Sequence, residues 1–241
     1  MNNNLARLRV VKKKYEEVGK LILKENDFKK ENLKSSRSLF LKDSILRKKP
    51  IPIDVDLYAI LSGISFRKKD LEFLENIRNK IENILKEETF FLVKPKNMGV
   101  EYSILKWPED KLDIEVLNKA KQVLQDWKEK PFFLTIFGIQ LHLDGCIILK
   151  GIDTKNEIKD FRSMLKSKIK KIPDRQSEWT HIPLGRILAP IGKEKMKILK
   201  NFFHDLDKNL NYDLLIKEVH LVREKQWYME KKSYLLTKKF E

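Results

Sequence analysis

The chain has 241 residues, enough to bury a sizeable core as one large domain or two small ones. Hydrophobic residues make up 41% and aromatic residues 10% of the sequence, which excludes a wholly disordered chain. With 51 Lys and Arg against 35 Asp and Glu, the net charge is +16. This balance favours a polyanionic partner such as nucleic acid, although lysine-rich solvated surfaces give the same charge.

A single cysteine, Cys146, rules out an intrachain disulfide bond and a cysteine-based metal site. Because it begins the apolar run 146–149, we expect a buried thiol rather than a nucleophile. No stretch approaches the roughly 20 apolar residues of a membrane span. Charged residues interrupt the N-terminus where a secretion signal needs an apolar run. These features predict a cytoplasmic protein.

Residues 1–49 hold 15 basic and 6 acidic residues, a net charge of +9. Apolar residues recur every three or four positions from Leu5 to Leu23, which predicts an amphipathic helix. Residues 24–49 lack such a period and predict a flexible, loosely packed arm that ends at Pro50. We expect this basic arm to contact nucleic acid or an acidic surface, and its deletion to weaken that contact.

Residues 50–241 alternate between strand and helix patterns. The order of strands, helix, strands and helix occurs twice, which predicts two α+β lobes at about 50–130 and 131–241. Hairpin connections dominate, so we expect largely antiparallel sheets with flanking helices. The predicted strands are 54–66, 89–93, 99–107, 132–141, 146–152, 179–188, 212–223 and 232–240, and the predicted helices are 67–86, 113–128, 154–171 and 193–210.

Common enzyme motifs are missing from the sequence. Only eight glycines occur, and neither GxGxxG nor GxxxxGK[ST] is present. HExxH, GxSxG and the protein-kinase motifs are also absent. The four histidines are too dispersed for a metal site. We therefore expect neither a metal nor an organic cofactor.

One segment, residues 179–188, carries a recognisable pattern: His181, Pro183, then Leu184, Gly185 and Arg186. It resembles the second signature of the two-histidine (2H) phosphoesterases, the superfamily of 2′-5′ RNA ligases and cyclic nucleotide phosphodiesterases. That signature is His-x-Thr/Ser followed by Leu, a small residue and Arg. Pro183 departs from it at the Thr/Ser position. With its context the resemblance covers about residues 54–240.

The resemblance implies a two-lobed fold in which two such strands face each other across a cleft. One histidine would then act as general base and the other as general acid on a phosphodiester. The first-lobe strand, 99–107, lacks histidine. Aligned on the preceding Pro-x-Asn turn, its motif positions are Gly99 and Glu101. Aligned on its exit, they are Tyr102 and Ile104.

The candidate catalytic residues are therefore His181, with Tyr102 or Glu101 as an unconventional partner. The candidate substrate-binding residues are Arg186, Ser103 and Lys106. His181 has the alternative of a core histidine, and Arg186 that of pairing with a carboxylate such as Glu218. Tyr102 has the alternative of a core position.

We expect a 2H-like protein, a monomer, that binds a nucleotide or RNA phosphate with its catalysis weakened or lost. The first rival is an active phosphodiesterase that acts on RNA 2′,3′-cyclic ends. The second is a non-catalytic scaffold that binds RNA or protein. The direction in which His181, Arg186, Tyr102 and Glu101 point discriminates between these hypotheses.

Overall fold

The computed structural model describes residues 2–63 and 66–241, with side chains from residue 9 onward. Ile64 and Ser65 of the predicted strand 54–66, and the side chains of Leu5 and Leu8, lie outside the described residues. The helices are α1 (Asn2–Leu23), α2 (Lys34–Arg37), α3 (Lys42–Leu46), α4 (Lys68–Leu85), α5 (Ile114–Asp126), α6 (Glu157–Lys168) and α7 (Lys193–Asn209). The strands are β1 (Asp54–Gly63), β2 (Phe90–Leu92), β3 (Gly99–Lys106), β4 (Phe132–Leu141), β5 (Cys146–Asp153), β6 (Thr180–Ile187), β7 (Tyr212–Ile216), β8 (Glu218–Gln226) and β9 (Lys231–Lys239).

The strands form two sheets with helices around them. One sheet has four strands in the order β3-β1-β8-β9, and the other has five in the order β2-β6-β5-β4-β7. The paired strands in both sheets run antiparallel. The predicted α+β class with largely antiparallel sheets is therefore confirmed.

The two sheets do not follow the two halves of the chain. Strands β8 and β9 join β1 and β3, while β2 pairs with β6 of the later part of the chain. The membership of the two sheets therefore does not coincide with the predicted division of the chain near residue 130. The sequence pattern could not predict this exchange of strands. Leu61 of β1, for example, pairs with His220 of β8, and a pairing between such distant residues leaves no local pattern in the sequence.

The long helices form because their apolar residues return to one face every three or four positions. Helix α4 buries Leu74, Ile77, Ile81 and Leu85 in this way. Helix α5 is capped by Asp113, whose carboxylate accepts hydrogen bonds from the backbone N–H groups of Glu115 and Val116. These helices bury their apolar faces in one continuous core.

Helix α1 packs along β4 and β5 of the five-stranded sheet. Its inward face includes Tyr15 and Ile22, each 2% exposed. The Tyr15 ring makes edge contacts with Phe137 at 5.5 Å and with Trp179 at 4.7 Å between ring centroids. The predicted amphipathic helix is therefore present, and from residue 9 onward its basic residues lie on the solvent side.

Residues 24–49 are not loosely packed. Phe28, Leu33 and Phe40 are 4%, 0% and 3% exposed. Phe40 also forms a β-bridge with Pro52. The prediction of a flexible arm is wrong, because single apolar residues among charges find partners in the distant folded domain without any local periodicity.

Within the described residues, no helix combines the length and apolar character needed to cross a bilayer. The same residues contain no group of three His, Cys, Asp or Glu side chains able to hold a metal ion. Cys146 is a buried free thiol, as predicted. Burial raises its pKa to about 11, so it stays protonated at neutral pH.

Candidate functional site

A cavity of about 570 Å³ lies between the two sheets. Strands β3 and β6 run beside each other at this place and both contribute to its walls. The two candidate motif strands therefore meet across the boundary between the sheets, as the sequence predicted. Ser35, Ser38 and Leu39 of the N-terminal segment line the same cavity.

Strand β6 contributes His181, Pro183 and Arg186 to the cavity wall. Regular alternation would turn Arg186 away, since it lies five residues after His181. The pairing with β5 shifts register between Pro183 and Gly185, which is a β-bulge. Pro183 has no N–H to donate at this point, which favours an irregular pairing. The bulge brings His181 and Arg186 to one wall.

Three polar groups hold the guanidinium of Arg186. Its Nε donates to the Tyr228 hydroxyl at 2.5 Å, and its Nη1 donates to Ser36 Oγ at 2.6 Å and Asp144 Oδ2 at 2.7 Å. Ser36 Oγ also donates to the backbone carbonyl of Asp144. Arg186 therefore pairs with the β4–β5 hairpin and not with Glu218.

Strand β3 and the residue after it present Gly99, Glu101, Ile104 and Trp107 to the cavity. The intervals are two, three and three residues, whereas a regular strand repeats every two. Two register shifts between β3 and β1 account for the longer intervals. Each shift inserts one extra residue and so changes which side chains face the cavity.

Tyr102 does not face His181. Its side chain is 1% exposed and packs in the core, with ring centroids 5.7 Å from Phe161 and 6.1 Å from Trp127. The structure therefore does not bring Tyr102 to His181 as the prediction required, because the bulge in β3 directs its side chain to the core. Of the two candidate partners, Glu101 is the one that lines the cavity.

Ser103 and Lys106 also lie away from the cavity walls. Ser103 Oγ donates to Gln176 Oε1 at 3.1 Å. Lys106 is 5% exposed, donates to the Asp56 carbonyl at 2.5 Å and pairs with the Asp56 carboxylate at 3.3 Å. The structure therefore does not bring these two predicted substrate-binding residues to the cavity that His181 lines, because both side chains make internal contacts.

The four-stranded sheet gives the cavity an apolar floor. Its aliphatic side chains are each 4% exposed or less. Aromatic side chains stand at its edges, two of them on the turn Trp227–Met229. An apolar floor with aromatic edges suits a planar ring such as a nucleobase. The floor consists of Leu57, Ala59, Leu61 and Ile104, and the edges of Trp107, Trp227 and Tyr228.

The imidazole of His181 is neutral at pH 7. Burial, together with the neighbouring His142, Arg162 and Arg186, lowers its pKa to about 4. Its Nδ1 is buried and has no hydrogen-bond partner among the described residues. A group with this pKa can accept a proton at neutral pH, but almost none of it is protonated and able to donate.

Two glutamates give the cavity an acidic side. Burial raises the pKa of Glu101, although the positive charge of Arg162 opposes the rise. Burial, with a smaller contribution from the charge of Glu101, raises the pKa of Glu224 to about 7. Glu224 accepts a hydrogen bond from Met229 N at 2.8 Å and so holds the turn that carries the aromatic edge.

The pKa of Glu224 makes stability depend on pH. Between the ordinary value of 4.5 and about 7, the folded chain keeps a proton that the unfolded chain releases. The free energy of unfolding should fall by about 3 kcal/mol as the pH rises through this window. Glu224→Gln removes this titration and keeps an oxygen for Met229 N. When the free energy of unfolding is measured in urea at several pH values from 4.5 to 7.5, it should change less with pH for the variant than for the wild type. An equal change with pH in both proteins would contradict the raised pKa of Glu224.

Sequence reasoning missed Arg175 and Gln176, which follow α6. The amide of Gln176 accepts from Ile104 N at 2.9 Å and donates to the Ile104 carbonyl at 2.8 Å. This fixes the strand where it faces the cavity. Arg175 lines the cavity, with its guanidinium 4.2 Å from the centre of the Trp107 ring. No motif marks these residues; only the structure brings them to the site.

The comparisons with known proteins give only structural matches. No family model matches the sequence, and no curated protein matches it. TT0787 of Thermus thermophilus is 12% identical, with a TM-score of 0.56 over 76% of this chain and 97% of its own. Apo LigT of E. coli is 14% identical, with a TM-score of 0.54 over 78% and 99%. LigT complexed with 3′-AMP is 14% identical, with a TM-score of 0.51 over 78% and 99%.

These likenesses establish the fold. The two antiparallel sheets with an intervening cleft define a 2H phosphoesterase-like architecture. Its arrangement is that of E. coli LigT over nearly the whole length of LigT. The fold implied by the pattern around His181 is therefore confirmed.

Proposed function

We propose that the cleft binds a nucleotide or the phosphate end of an RNA, and that phosphodiester hydrolysis is weakened or lost there. The observation that carries this proposal is the pair of facing walls. His181 and Arg186 stand on β6, while β3 contributes Glu101 and Ile104 to the cavity and contains no histidine. LigT has been solved with 3′-AMP and with ATP, and the shared fold makes nucleotides the first ligands to test.

The loss of hydrolysis follows from acid–base chemistry. A single imidazole cannot be base and acid to opposite sides of one phosphorus atom. The low pKa of His181 further removes it as a proton donor at neutral pH. Loss of one member of such a pair lowers the rate by about 10²–10⁴-fold.

A second candidate function is an active phosphodiesterase in which Glu101 supplies the missing acid. Two observations favour it: Glu101 lines the same cavity as His181, and burial raises its pKa. A carboxyl that keeps its proton can donate it to a leaving oxygen. This candidate requires turnover that both His181→Ala and Glu101→Gln abolish.

RNA is proposed as the larger partner because of the exposed lysines of α1. Lys13 and Lys20 lie on its solvent face. Lysines on such a face attract the phosphate backbone without reading its sequence. A monomer in the cytoplasm remains our expectation for the state and place of the protein.

Calorimetric titration with 3′-AMP tests binding in the cleft. We expect saturable 1:1 binding by the wild type. Ala59→Phe places a ring on the cavity floor and should weaken binding at least about tenfold, because the ligand and the ring compete for one volume. Ile198→Phe adds the same ring on the surface of α7 and should bind as the wild type does. A wild type without saturable binding, or an Ala59→Phe variant with wild-type affinity, would contradict the proposal.

A further inference from the structure

The two arginines that line the cavity differ in the hydrogen bonds that their guanidinium groups already make. The guanidinium of Arg186 already donates to Tyr228, Ser36 and Asp144. That of Arg175 makes no hydrogen bond within the described part of the chain, and its ion pair with Glu109 is long, at 3.9 Å. The Arg175 side chain is 74% exposed, which places it at the solvent-facing edge. Its donors are therefore open to a ligand.

Arg175 is nevertheless held in place. Its guanidinium stacks 4.2 Å from the centre of the Trp107 ring, which leaves the in-plane N–H groups free. Its backbone carbonyl accepts from Trp107 Nε1 at 3.1 Å. The next residue, Gln176, is bound to the backbone of Ile104 through its side-chain amide. A stacked guanidinium with free edges is an arrangement suited to bidentate phosphate binding.

The interior of the cavity is unsuited to an anion. Glu101 and Glu224 stand there, and a phosphate beside them meets repulsion from whatever negative charge they carry. The floor of Leu57, Leu61 and Ile104 offers no donor to a phosphate oxygen. An apolar ring fits this interior, whereas a negatively charged phosphate is better placed at the solvent-facing edge of the cavity.

We propose that Arg175 is the phosphate-binding residue of the cleft, and that a nucleotide enters with its base toward the apolar floor and its phosphate at the edge, against the guanidinium stacked on Trp107. This inference rests on the proposed function. It assigns the phosphate to Arg175 rather than to Arg186, the arginine of the signature.

The test compares 3′-AMP with adenosine in competition titrations. The wild type should bind 3′-AMP about 10-fold to 100-fold more tightly than adenosine. Arg175→Gln should lose this preference and leave adenosine binding within about twofold. Arg175→Lys should retain part of it, because the charge remains while the stacked, bidentate geometry is lost. Arg47→Gln, which removes an exposed arginine of the N-terminal segment, should behave as the wild type.

The outcomes separate the two claims. A wild type that binds neither ligand rejects the proposed function and the role of Arg175 with it. Binding of both ligands with an unchanged preference in Arg175→Gln overturns only the role of Arg175. An equal loss of affinity for 3′-AMP and adenosine in that variant also overturns it, because the side chain would then shape the cavity rather than bind phosphate.

Discussion

Deletion of residues 1–49 should leave a chain that does not fold at 25 °C. The deletion removes Phe28, Leu33 and Phe40, which are almost fully buried, and the inward face of α1 with Tyr15 and Ile22. Truncation of one such side chain costs about 2–5 kcal/mol. For these five side chains the sum is about 10–25 kcal/mol, comparable to or larger than the roughly 5–15 kcal/mol that stabilise an ordinary domain. Circular dichroism and thermal unfolding should show no cooperative transition.

The same deletion cannot be used to locate an RNA contact, because the fold is lost with the charge. Substitution of Lys13, Lys20 and Lys24 by Gln is the matched control, since all three are exposed. This control should unfold at the wild-type temperature while the salt dependence of RNA binding flattens. A truncated chain with the wild-type unfolding temperature would show that the N-terminal segment is dispensable for the fold.

Arg186→Met should lower the free energy of unfolding by about 3 kcal/mol. The substitution keeps much of the volume of the side chain but leaves Asp144, Ser36 and Tyr228 without their shared donor. A half-buried carboxylate that loses its partner keeps the cost of its desolvation. Urea unfolding at pH 7 measures the change.

A double-mutant cycle with Asp144→Asn shows whether the loss comes from this ion pair. The double variant should be less destabilised than the sum of the single variants, with a coupling of about 1–3 kcal/mol. Lys231→Met is a control, because it removes an exposed ion pair with Asp54. That control should change stability by less than about 1 kcal/mol. Additive effects in the cycle would refute the structural role of Arg186.

Most elements could be predicted because each carries its own local signal. Helix α4 follows from apolar residues at spacings of three and four, such as Leu74, Ile77 and Ile81. The pattern around His181 and Arg186 predicted that β6 borders the cleft, and the bulge at Pro183 brings both side chains to one wall. Both signals lie within a few residues of the feature that they predict.

The β3 wall could not be predicted because its bulges depend on pairing with β1. Without them, either register of the motif looked possible, and Tyr102 was as good a candidate as Glu101. The exchange of strands between the sheets and the burial of Leu33 likewise depend on contacts between distant residues. Arg175 is brought to the cleft by its contact with Trp107, which no spacing in the sequence records.

Phosphorus NMR of adenosine 2′,3′-cyclic phosphate with the wild-type protein tests the central claim most directly, since one spectrum reports binding and hydrolysis. The proposed function predicts a cyclic-phosphate resonance that shifts or broadens as protein is added, while no monoester resonance grows over hours. A monoester resonance that grows with the wild type and is lost with His181→Ala would contradict it. An unaltered cyclic-phosphate resonance at saturating protein would contradict it equally, because the cleft would then bind no such ligand.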